Sequence, residues 1–227
     1  MDDEPLMPGG RIASRPLHFI WLVDCSGSMA YEGKIQALNH AVREAIPHMV
    51  EAAASQPQAE VLVRVIAFSE GARWITAEPL PIERFEWTDL DAGGTTDLGF
   101  ALEMVAGVLR VPPMSERALP PVLVLISDGQ PTDDFDRGMA ALLDEPWGAR
   151  SMRISIAIGR DADEAVLRSF MSDPERGPVL ASNPEQLMRS VRWASTLIGP
   201  ISRPQRAGAP DTTFPGEPEP SIGDVTW

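Results

Sequence analysis

Large hydrophobic residues form short continuous runs at intervals along the chain, and polar, glycine or proline residues bound each run. Runs of this length that are rich in Val, Ile and Leu are typical of strands buried on both faces of a parallel sheet. The first such run ends at Asp24, and another is followed directly by Asp128. The pattern predicts strands at 17–24, 60–69, 121–127 and 152–159.

Between these runs, hydrophobic residues recur every three to four positions, which is the period of an amphipathic helix. The clearest segment is 34–54, where Pro47 interrupts a regular apolar face and a kink is expected. A second helix is predicted to follow Gly93-Gly94-Thr95-Thr96 and to end at Arg110. Three further helices are predicted at 133–144, 162–171 and 184–198.

Two shorter strands complete the predicted sheet. The segment 73–77 follows a turn at Glu70-Gly71 and would pair antiparallel with 60–69, and 177–181 precedes the last helix. Because strands and helices alternate, the chain is predicted to be an α/β protein of Rossmann-like type. We expect a three-layer sandwich, with a mostly parallel central sheet, one antiparallel edge strand and helices on both faces. In such sheets ligands bind at the carboxyl ends of the strands, where both carboxylates would lie.

The chain of 227 residues is long enough for one sizeable domain, which we predict at 16–198. Residues 1–15 are predicted to form a flexible N-terminus. Residues 199–227 are rich in proline and poor in large apolar residues, so they are predicted to form a flexible tail.

Charge and cysteine content exclude several classes of function. With 19 basic and 33 acidic residues the formal net charge is -14, which disfavours binding to nucleic acid or to an anionic membrane. The only cysteine is Cys25, so no intrachain disulfide can form, and a reducing compartment is expected. The acidic start of the chain is unlike a signal peptide, and no apolar run is long enough to span a bilayer. We therefore expect a cytoplasmic protein.

The loop after the first strand carries the most informative chemistry. Asp24, Ser26 and Ser28 place a carboxylate and two hydroxyls on one tight turn, and Gly27 lets the backbone bend between them. Oxygen ligands of this kind suit a hard cation such as Mg²⁺, and Mn²⁺ or Ca²⁺ would also fit. Taken alone, the same residues are also what an ordinary strand-to-helix turn requires.

Two other segments strengthen the prediction of a metal site. The string Gly93-Gly94-Thr95-Thr96-Asp97-Leu98-Gly99 precedes one helix, and Ser127-Asp128-Gly129 follows another strand. Each segment combines oxygen ligands with glycine, and the predicted topology brings all three loops to one crevice.

Together these motifs resemble the von Willebrand factor A (vWA) domain with its metal-ion-dependent adhesion site (MIDAS), over about residues 16–198. Carried over by position, the family's ligands are Asp24, Ser26, Ser28, Thr96 and Asp128. Thr95 is the alternative to Thr96; the pattern of bacterial relatives, in which only the second hydroxyl is always Thr, favours Thr96. The resemblance implies that the hydroxyls bind the ion directly or nearly so, while the aspartates act partly through water.

The string 127–134, Ser-Asp-Gly-Gln-Pro-Thr-Asp-Asp, is similar to the TerY branch of tellurite-resistance and chemical-stress proteins. That resemblance implies an interaction module in bacterial stress signalling. The metal would bind a Glu or Asp of a partner protein, with a Ser/Thr kinase or a PP2C-type phosphatase as the implied partners. An adaptor for a AAA+ ATPase is one alternative, and a metal-dependent phosphohydrolase is another from a different class.

Several residues have simpler explanations than a role in catalysis. His18, His40 and His48 lack the spacing of metal ligands, so the site has no evident general base and we expect no enzyme activity. Cys25 should point away from the ion as a small packed residue. Asp133 and Asp134 would either add acidic residues around the site or, more simply, favour the first turn of a helix. Tyr31, Trp74 and Trp87 would be either contact residues around the crevice or packing residues.

Overall fold

Seven strands form a single central sheet in the computed structural model, which describes residues 14–202. The four predicted long strands are present, with ends that differ from the predicted ones by at most two residues. The strands are β1 (Arg15–Asp24), β2 (Ala59–Ser69), β3 (Gly71–Trp74), β4 (Leu80–Pro81), β5 (Val122–Ser127), β6 (Met152–Ile158) and β7 (Val179–Ala181).

The strand order is β3-β2-β1-β5-β6-β7, and β4 pairs with β2 beside β3. β1 lies between β2 and β5 and is parallel to both, with Val23 opposite Ala67 on one side and Ile126 on the other. The chain leaves β1 toward β2 on one side and later returns to β5 on the other. This reversal of strand order opens a crevice at the carboxyl ends of β1 and β5, as the alternation of elements predicted.

The antiparallel edge is larger than predicted. β3 pairs with β2 as expected but covers 71–74 instead of 73–77, and β4 adds a second antiparallel pair, with Leu80 opposite Val63. β4 was not predicted, because the prolines around Pro81 are unfavourable for a strand. Proline is tolerated there because β4 is a short edge strand and makes few ladder hydrogen bonds.

Helices cover both faces of the sheet, so the predicted three-layer α/β sandwich is confirmed. One face packs against α1, α6 and α7, and the other against α2, α3, α4 and α5. The bounds are α1 (Lys34–Ala54), α2 (Leu98–Leu109), α3 (Phe135–Asp144), α4 (Pro146–Arg150), α5 (Glu164–Phe170), α6 (Pro184–Thr196) and α7 (Ile198–Ser202). Pro47 lies inside α1, which runs through it without a break.

The side chains of β1 explain why the sheet needs two apolar layers. Phe19, Trp21 and Val23 pack into the core under α1 and α6, whereas Ile20 and Leu22 pack into the core under α2. Alternation of side chains along a strand sends successive residues to opposite faces, so a continuous apolar run requires cover on both.

The start of one helix and the presence of two short helical segments were not predicted. α3 begins at Phe135 instead of 133, and the short helix α4 was not anticipated. α7 continues to Ser202, beyond the predicted boundary at 198, and its Ile201 is 4% exposed. The remainder of the predicted tail, 203–227, and the N-terminal 1–13 lie outside the described residues. Between residues 14 and 202 no helix is long and apolar enough to cross a membrane.

Candidate metal centre

Two buried carboxylates lie at the carboxyl edge of adjacent strands. Asp24 is the last residue of β1, and Asp128 directly follows β5; their exposed fractions are 0% and 2%. Burying one carboxylate is costly unless it is paired, and two close together also repel each other. Their placement therefore calls for donors or a cation nearby.

Asp24 receives two hydrogen bonds from residues that flank the crevice. The backbone N–H of Ser26 donates to Asp24 Oδ1 at 2.8 Å, and the Ser127 hydroxyl donates to Oδ2 at 2.5 Å. Burial nevertheless raises the pKa of the Asp24 carboxyl to about 6; the hydrogen bonds from Ser127 and Ser26 oppose this shift, and the Asp128 charge adds to it. The two donors thus orient Asp24 but do not fully offset the cost of burying its negative charge.

Asp128 has an oxygen that the protein does not satisfy. Its Oδ1 is buried and accepts no hydrogen bond from any described residue. Its main chain is firmly held, because the backbone carbonyl of Asp128 accepts from the Asp163 N–H at 2.6 Å. A buried acceptor without a donor costs free energy comparable to a lost hydrogen bond, and a carboxylate oxygen costs more. An ion or ordered water between the two carboxylates would remove that cost.

The serine loop places two hydroxyls together. The Oγ atoms of Ser26 and Ser28 are 2.9 Å apart and hydrogen-bonded. The intervening Gly27 donates its N–H to the Gly94 carbonyl at 3.0 Å, and Gly94 has a φ of 85°, which favours glycine. A Cβ on Gly27 would lie 3.2 Å from the Gly94 oxygen, so this glycine permits the close contact between the first two loops.

The threonine loop places its two hydroxyls in different surroundings. Thr95 is exposed, and its hydroxyl donates to the Ser69 carbonyl at 3.3 Å and to Asp97 Oδ1 at 3.2 Å. Thr96 is 6% exposed, and its backbone N–H donates to the Thr132 hydroxyl at 3.0 Å. The Thr132 N–H donates back to the Thr96 carbonyl at 2.9 Å, which ties this loop to the loop after β5.

Three polar residues that hold the loops together lie within the motifs described above, but no individual role was predicted for them. Ser127 orients Asp24 and also accepts from the Gly129 N–H at 2.8 Å. Asp97 accepts from the Gly71 N–H at 2.7 Å and from the Thr132 hydroxyl at 3.2 Å. The available signal was a polar residue at the end of an apolar strand, in the case of Ser127. For Asp97 and Thr132 the partners are distant in sequence, and no local pattern identifies them.

Asp133 and Asp134 do not lie in the first turn of α3, which corrects that interpretation. Asp134 is the N-cap of α3, and its side chain accepts from the Arg137 N–H. Asp133 instead accepts from the N–H groups of Gly99 at 2.9 Å and Phe100 at 2.7 Å, in the first turn of α2. A carboxylate supplied by another segment thus caps α2, which local sequence could not show.

Cys25, the three histidines and two of the tryptophans have surroundings of their own. Cys25 is 2% exposed and belongs to the core under α1, and burial raises the pKa of its thiol to about 12. His18 is half-buried six residues before Asp24, and burial beside Arg64 lowers its pKa; His40 and His48 lie on α1. Trp87 donates its indole N–H to Asn39, whereas the Arg64 guanidinium lies 3.8 Å from the Trp74 ring centroid.

The proposed donors are oxygen atoms of carboxylates and hydroxyls, without histidine or cysteine. Within residues 14–202 no group of three or more His, Cys, Asp and Glu side chains is arranged to hold a metal. The loops at the carboxyl edge instead carry two carboxylates, Asp24 and Asp128, and the paired hydroxyls of Ser26 and Ser28, with Thr96 on the neighbouring loop. Hard cations such as Mg²⁺ accept neutral oxygen ligands and use one or two carboxylates. The unsatisfied oxygen of Asp128 and this donor set fit such an ion.

The model of the von Willebrand factor type A domain matches residues 19–192. The chain belongs to this family. vWA domains commonly act as metal-dependent protein-interaction modules and are generally not catalytic. No curated protein matches the chain in sequence.

Solved structures share the fold at low sequence identity. A von Willebrand factor type A protein from Catenulispora acidiphila matches with a TM-score of 0.62 and 20% identity, over 82% of this chain and 43% of that one. The ArnB paralog VWA2 from Sulfolobus acidocaldarius matches with a TM-score of 0.59 and 21% identity, over 80% of this chain and 45% of that one.

Proximal thread matrix protein 1 from the mussel byssus, solved with a zinc-occupied MIDAS motif, matches with a TM-score of 0.59 and 16% identity, over 81% of this chain and 49% of that one. The chain thus spans less than half the length of these three relatives. The shared fold of this vWA domain is established by these matches.

Proposed function

We propose that Asp24, Ser26, Ser28, Thr96 and Asp128 form a metal-ion-dependent adhesion site that holds one divalent cation, preferably Mg²⁺. The observation that carries this proposal is the buried Asp128 Oδ1, which lacks a hydrogen bond while Asp24 lies nearby with a raised pKa. A cation would stabilise both carboxylates and use the paired serine hydroxyls as neutral ligands. The mussel relative whose MIDAS motif holds zinc supports the same interpretation.

The surroundings support binding and not catalysis. If the two aspartates act partly through water, as the family resemblance implies, their negative charge does not lie directly on the ion, which would keep an attraction for an outside carboxylate. None of the three histidines lies on the loops that carry the proposed ligands, so none of them is placed there as a general base. We infer that a Glu or Asp of a partner protein completes the coordination of the metal.

The partners that we propose are a Ser/Thr kinase or a PP2C-type phosphatase of bacterial stress signalling, in the cytoplasm. The support is the TerY-like string 127–134 and a single, buried, free cysteine. Pull-down from lysate with the wild type, with Asp24→Ala, and with the wild type in EDTA tests this proposal. We expect a kinase or phosphatase to be captured by the wild type with Mg²⁺ only; recovery of a AAA+ ATPase instead would favour the adaptor alternative.

Metal-linked stability tests the site itself. In urea unfolding, a free Mg²⁺ concentration of about 100 times the dissociation constant should raise the free energy of unfolding by about 2.7 kcal/mol. Asp128→Asn should abolish this gain, while in EDTA it should be as stable as the wild type or more so, because the unpaired charge is gone. Asp136→Asn, an exposed residue of α3, is the matched control and should behave like the wild type.

The same preparations distinguish the enzyme alternative. We expect no hydrolysis of p-nitrophenyl phosphate with Mg²⁺ or Mn²⁺. A turnover that appears with the metal and is lost in Asp128→Asn would instead support the phosphohydrolase. Unfolding of the wild type that is unchanged by Mg²⁺, Mn²⁺ and Ca²⁺ at millimolar concentrations would contradict the metal site.

A further inference from the structure

Two aromatic side chains are exposed beside the proposed metal site. Tyr31 is 70% exposed and Phe100 is 48% exposed. Tyr31 follows the serine loop, and its N–H donates to the Ser28 carbonyl at 3.4 Å. Phe100 lies in the first turn of α2, four residues after Thr96, where its N–H is held by Asp133. Both are attached to loops that carry proposed ligands.

The two aromatics lie next to helices that cover opposite faces of the sheet. Tyr31 leads into α1, which covers one face of the sheet, and Phe100 begins α2, which covers the other. The loops between them are joined by the hydrogen bond from Gly27 to Gly94. The other large hydrophobic residues that are exposed in the described part of the chain, Val111, Leu143 and Leu180, lie at the end of α2, near the end of α3 and on β7. An exposed aromatic residue thus follows each of two loops that carry proposed ligands.

Acidic residues form the next zone of the surface. Glu70 is exposed beside Gly94, where a Cβ on that glycine would lie 3.4 Å from the Glu70 Cβ. Asp161 has a side chain that is 71% exposed although its Oδ1 pairs with Lys34 Nζ at 3.5 Å, and its backbone carbonyl accepts from the Gln130 side chain two residues after Asp128. Asp91 is exposed two residues before Gly93, whose N–H donates to the Cys25 carbonyl. We call Glu70, Asp91 and Asp161 the acidic rim.

From this arrangement we infer which kind of partner the site selects: a protein segment in which one Glu or Asp is flanked by apolar residues, with basic residues beyond them. This inference rests on the proposed metal site. The central carboxylate would meet the ion, the apolar residues would cover Tyr31 and Phe100, and the basic residues would face the acidic rim. A carboxylate in an acidic segment would be repelled by that rim and by a chain of net charge -14.

The probe for the test is a labelled synthetic peptide with a central Glu, Leu on both sides of it and Lys beyond each Leu. Its binding to the full chain is measured by fluorescence anisotropy in Mg²⁺ and in EDTA. Three matched peptides replace the central Glu by Gln, the two Leu by Ser, or the Lys by Glu. We expect metal-dependent binding of the first peptide, about tenfold weaker binding of the Ser peptide, and no measurable binding of the other two.

Substitutions in the protein, instead of in the peptide, test the same contacts. Tyr31→Ser and Phe100→Ser should each weaken binding of the Leu peptide about fivefold and leave binding of the Ser peptide unchanged. Leu143→Ser, exposed to 42% on α3, is the matched control and should have no effect. Glu70→Gln should weaken binding and reduce its salt dependence. Glu60→Gln should do neither, because Glu60 lies near the amino-terminal end of β2, away from the carboxyl ends of the strands.

The outcomes separate this inference from the metal site on which it rests. If Mg²⁺ stabilises the protein but the Leu and Ser peptides bind equally, or neither binds at about 1 mM, the inference is wrong and the metal site stands. Equal effects of Leu143→Ser and Phe100→Ser would also overturn it. If the Leu peptide binds equally well in EDTA and Mg²⁺ does not stabilise the protein, the proposed function itself fails.

Discussion

Thr95 and Thr96 show how neighbouring residues of one type can acquire different roles. Thr95 is exposed and uses its hydroxyl to hold Ser69 and Asp97, whereas Thr96 is buried between the loops. A hydroxyl that already donates within the protein stabilises a loop. Thr96 is held through its backbone, so its hydroxyl is not committed to a loop contact among the described residues, which supports Thr96 as the proposed ligand.

We therefore predict that two matched substitutions affect different properties, metal binding in one case and stability in the other. Thr96→Val should weaken Mg²⁺ binding by at least about tenfold, because it removes a proposed ligand without changing the side-chain volume. Thr95→Val should cost about 1 kcal/mol of stability through its lost hydrogen bonds and leave metal affinity nearly unchanged. Isothermal titration with Mg²⁺ and urea unfolding measure the two effects. Weaker metal binding in Thr95→Val than in Thr96→Val would reverse the assignment.

Cys25 permits a second test at a single residue. Its side chain lies in the core and not among the proposed ligands, so Cys25→Ser should keep the metal affinity within about twofold of the wild type. Its stability should fall by roughly 1–3 kcal/mol, because a hydroxyl replaces a thiol in an apolar site. Cys25→Ala is the control that introduces no polar group. Loss of Mg²⁺ binding in both variants, measured by titration, would show that Cys25 belongs to the site.

The crossing of α2 and α3 links the core to the candidate site. A Cβ on Gly99 would lie 2.3 Å from the Asp134 carbonyl oxygen, and one on Gly138 would lie 2.3 Å from the Gly99 oxygen. Only glycine allows the helices to approach this closely. The same contact brings Asp133 to the first turn of α2 and Thr132 to Thr96, so helix packing positions two of the site's loops.

Two glycine substitutions test this coupling. Gly138→Ala should reduce the free energy of unfolding by about 2 kcal/mol or more and also weaken Mg²⁺ binding, because the helices must move apart. Gly107→Ala in α2 is the control: its Cβ would meet only the Arg110 side chain, at 3.4 Å, so alanine should stabilise the helix by roughly 0.5–1 kcal/mol. Calorimetry and metal titration give both quantities. Unchanged metal affinity in a destabilised Gly138→Ala protein would separate the crossing from the site.

In the whole molecule, one sheet separates two apolar layers, and the last described helix contributes to one of them. Ile198 and Ile201 of α7 belong to the same core as α1 and α6. Although α7 is short, these side chains are almost fully buried. We therefore propose that the folded domain extends beyond the predicted boundary at 198.

Two truncations test this conclusion. A chain that ends at 197 loses both isoleucines from the core, and its free energy of unfolding should fall by at least about 3 kcal/mol. A chain that ends at 202 retains them and should keep the stability of the full chain to within about 0.5 kcal/mol. Urea unfolding followed by circular dichroism measures both. Equal stability of the two truncated chains would show that α7 is dispensable.

Most of the fold could be predicted because its causes are local. The apolar run of β1 and the periodic face of α1 are properties of neighbouring residues, and both elements have nearly the predicted bounds. β4 and α4 could not be predicted in this way. Each is so short that its pairing or packing partner decides it: β2 for Leu80–Pro81, and the core around Trp147 for α4.

By itself, the sequence determined the order of strands and helices, the position of Asp24 and Asp128 at strand ends, and the loops that carry hydroxyls. These follow from hydrophobic pattern and turn chemistry, which act over a few residues. Only the tertiary structure decided that Thr96 is buried and Thr95 exposed, that Ser127 orients Asp24, and that Asp133 caps α2. It also decided that Tyr31 and Phe100, and not Trp74 or Trp87, are exposed beside the crevice. The reason is physical: burial and hydrogen bonding between these loops depend on segments up to about a hundred residues apart, whose approach is set by packing of the whole sheet.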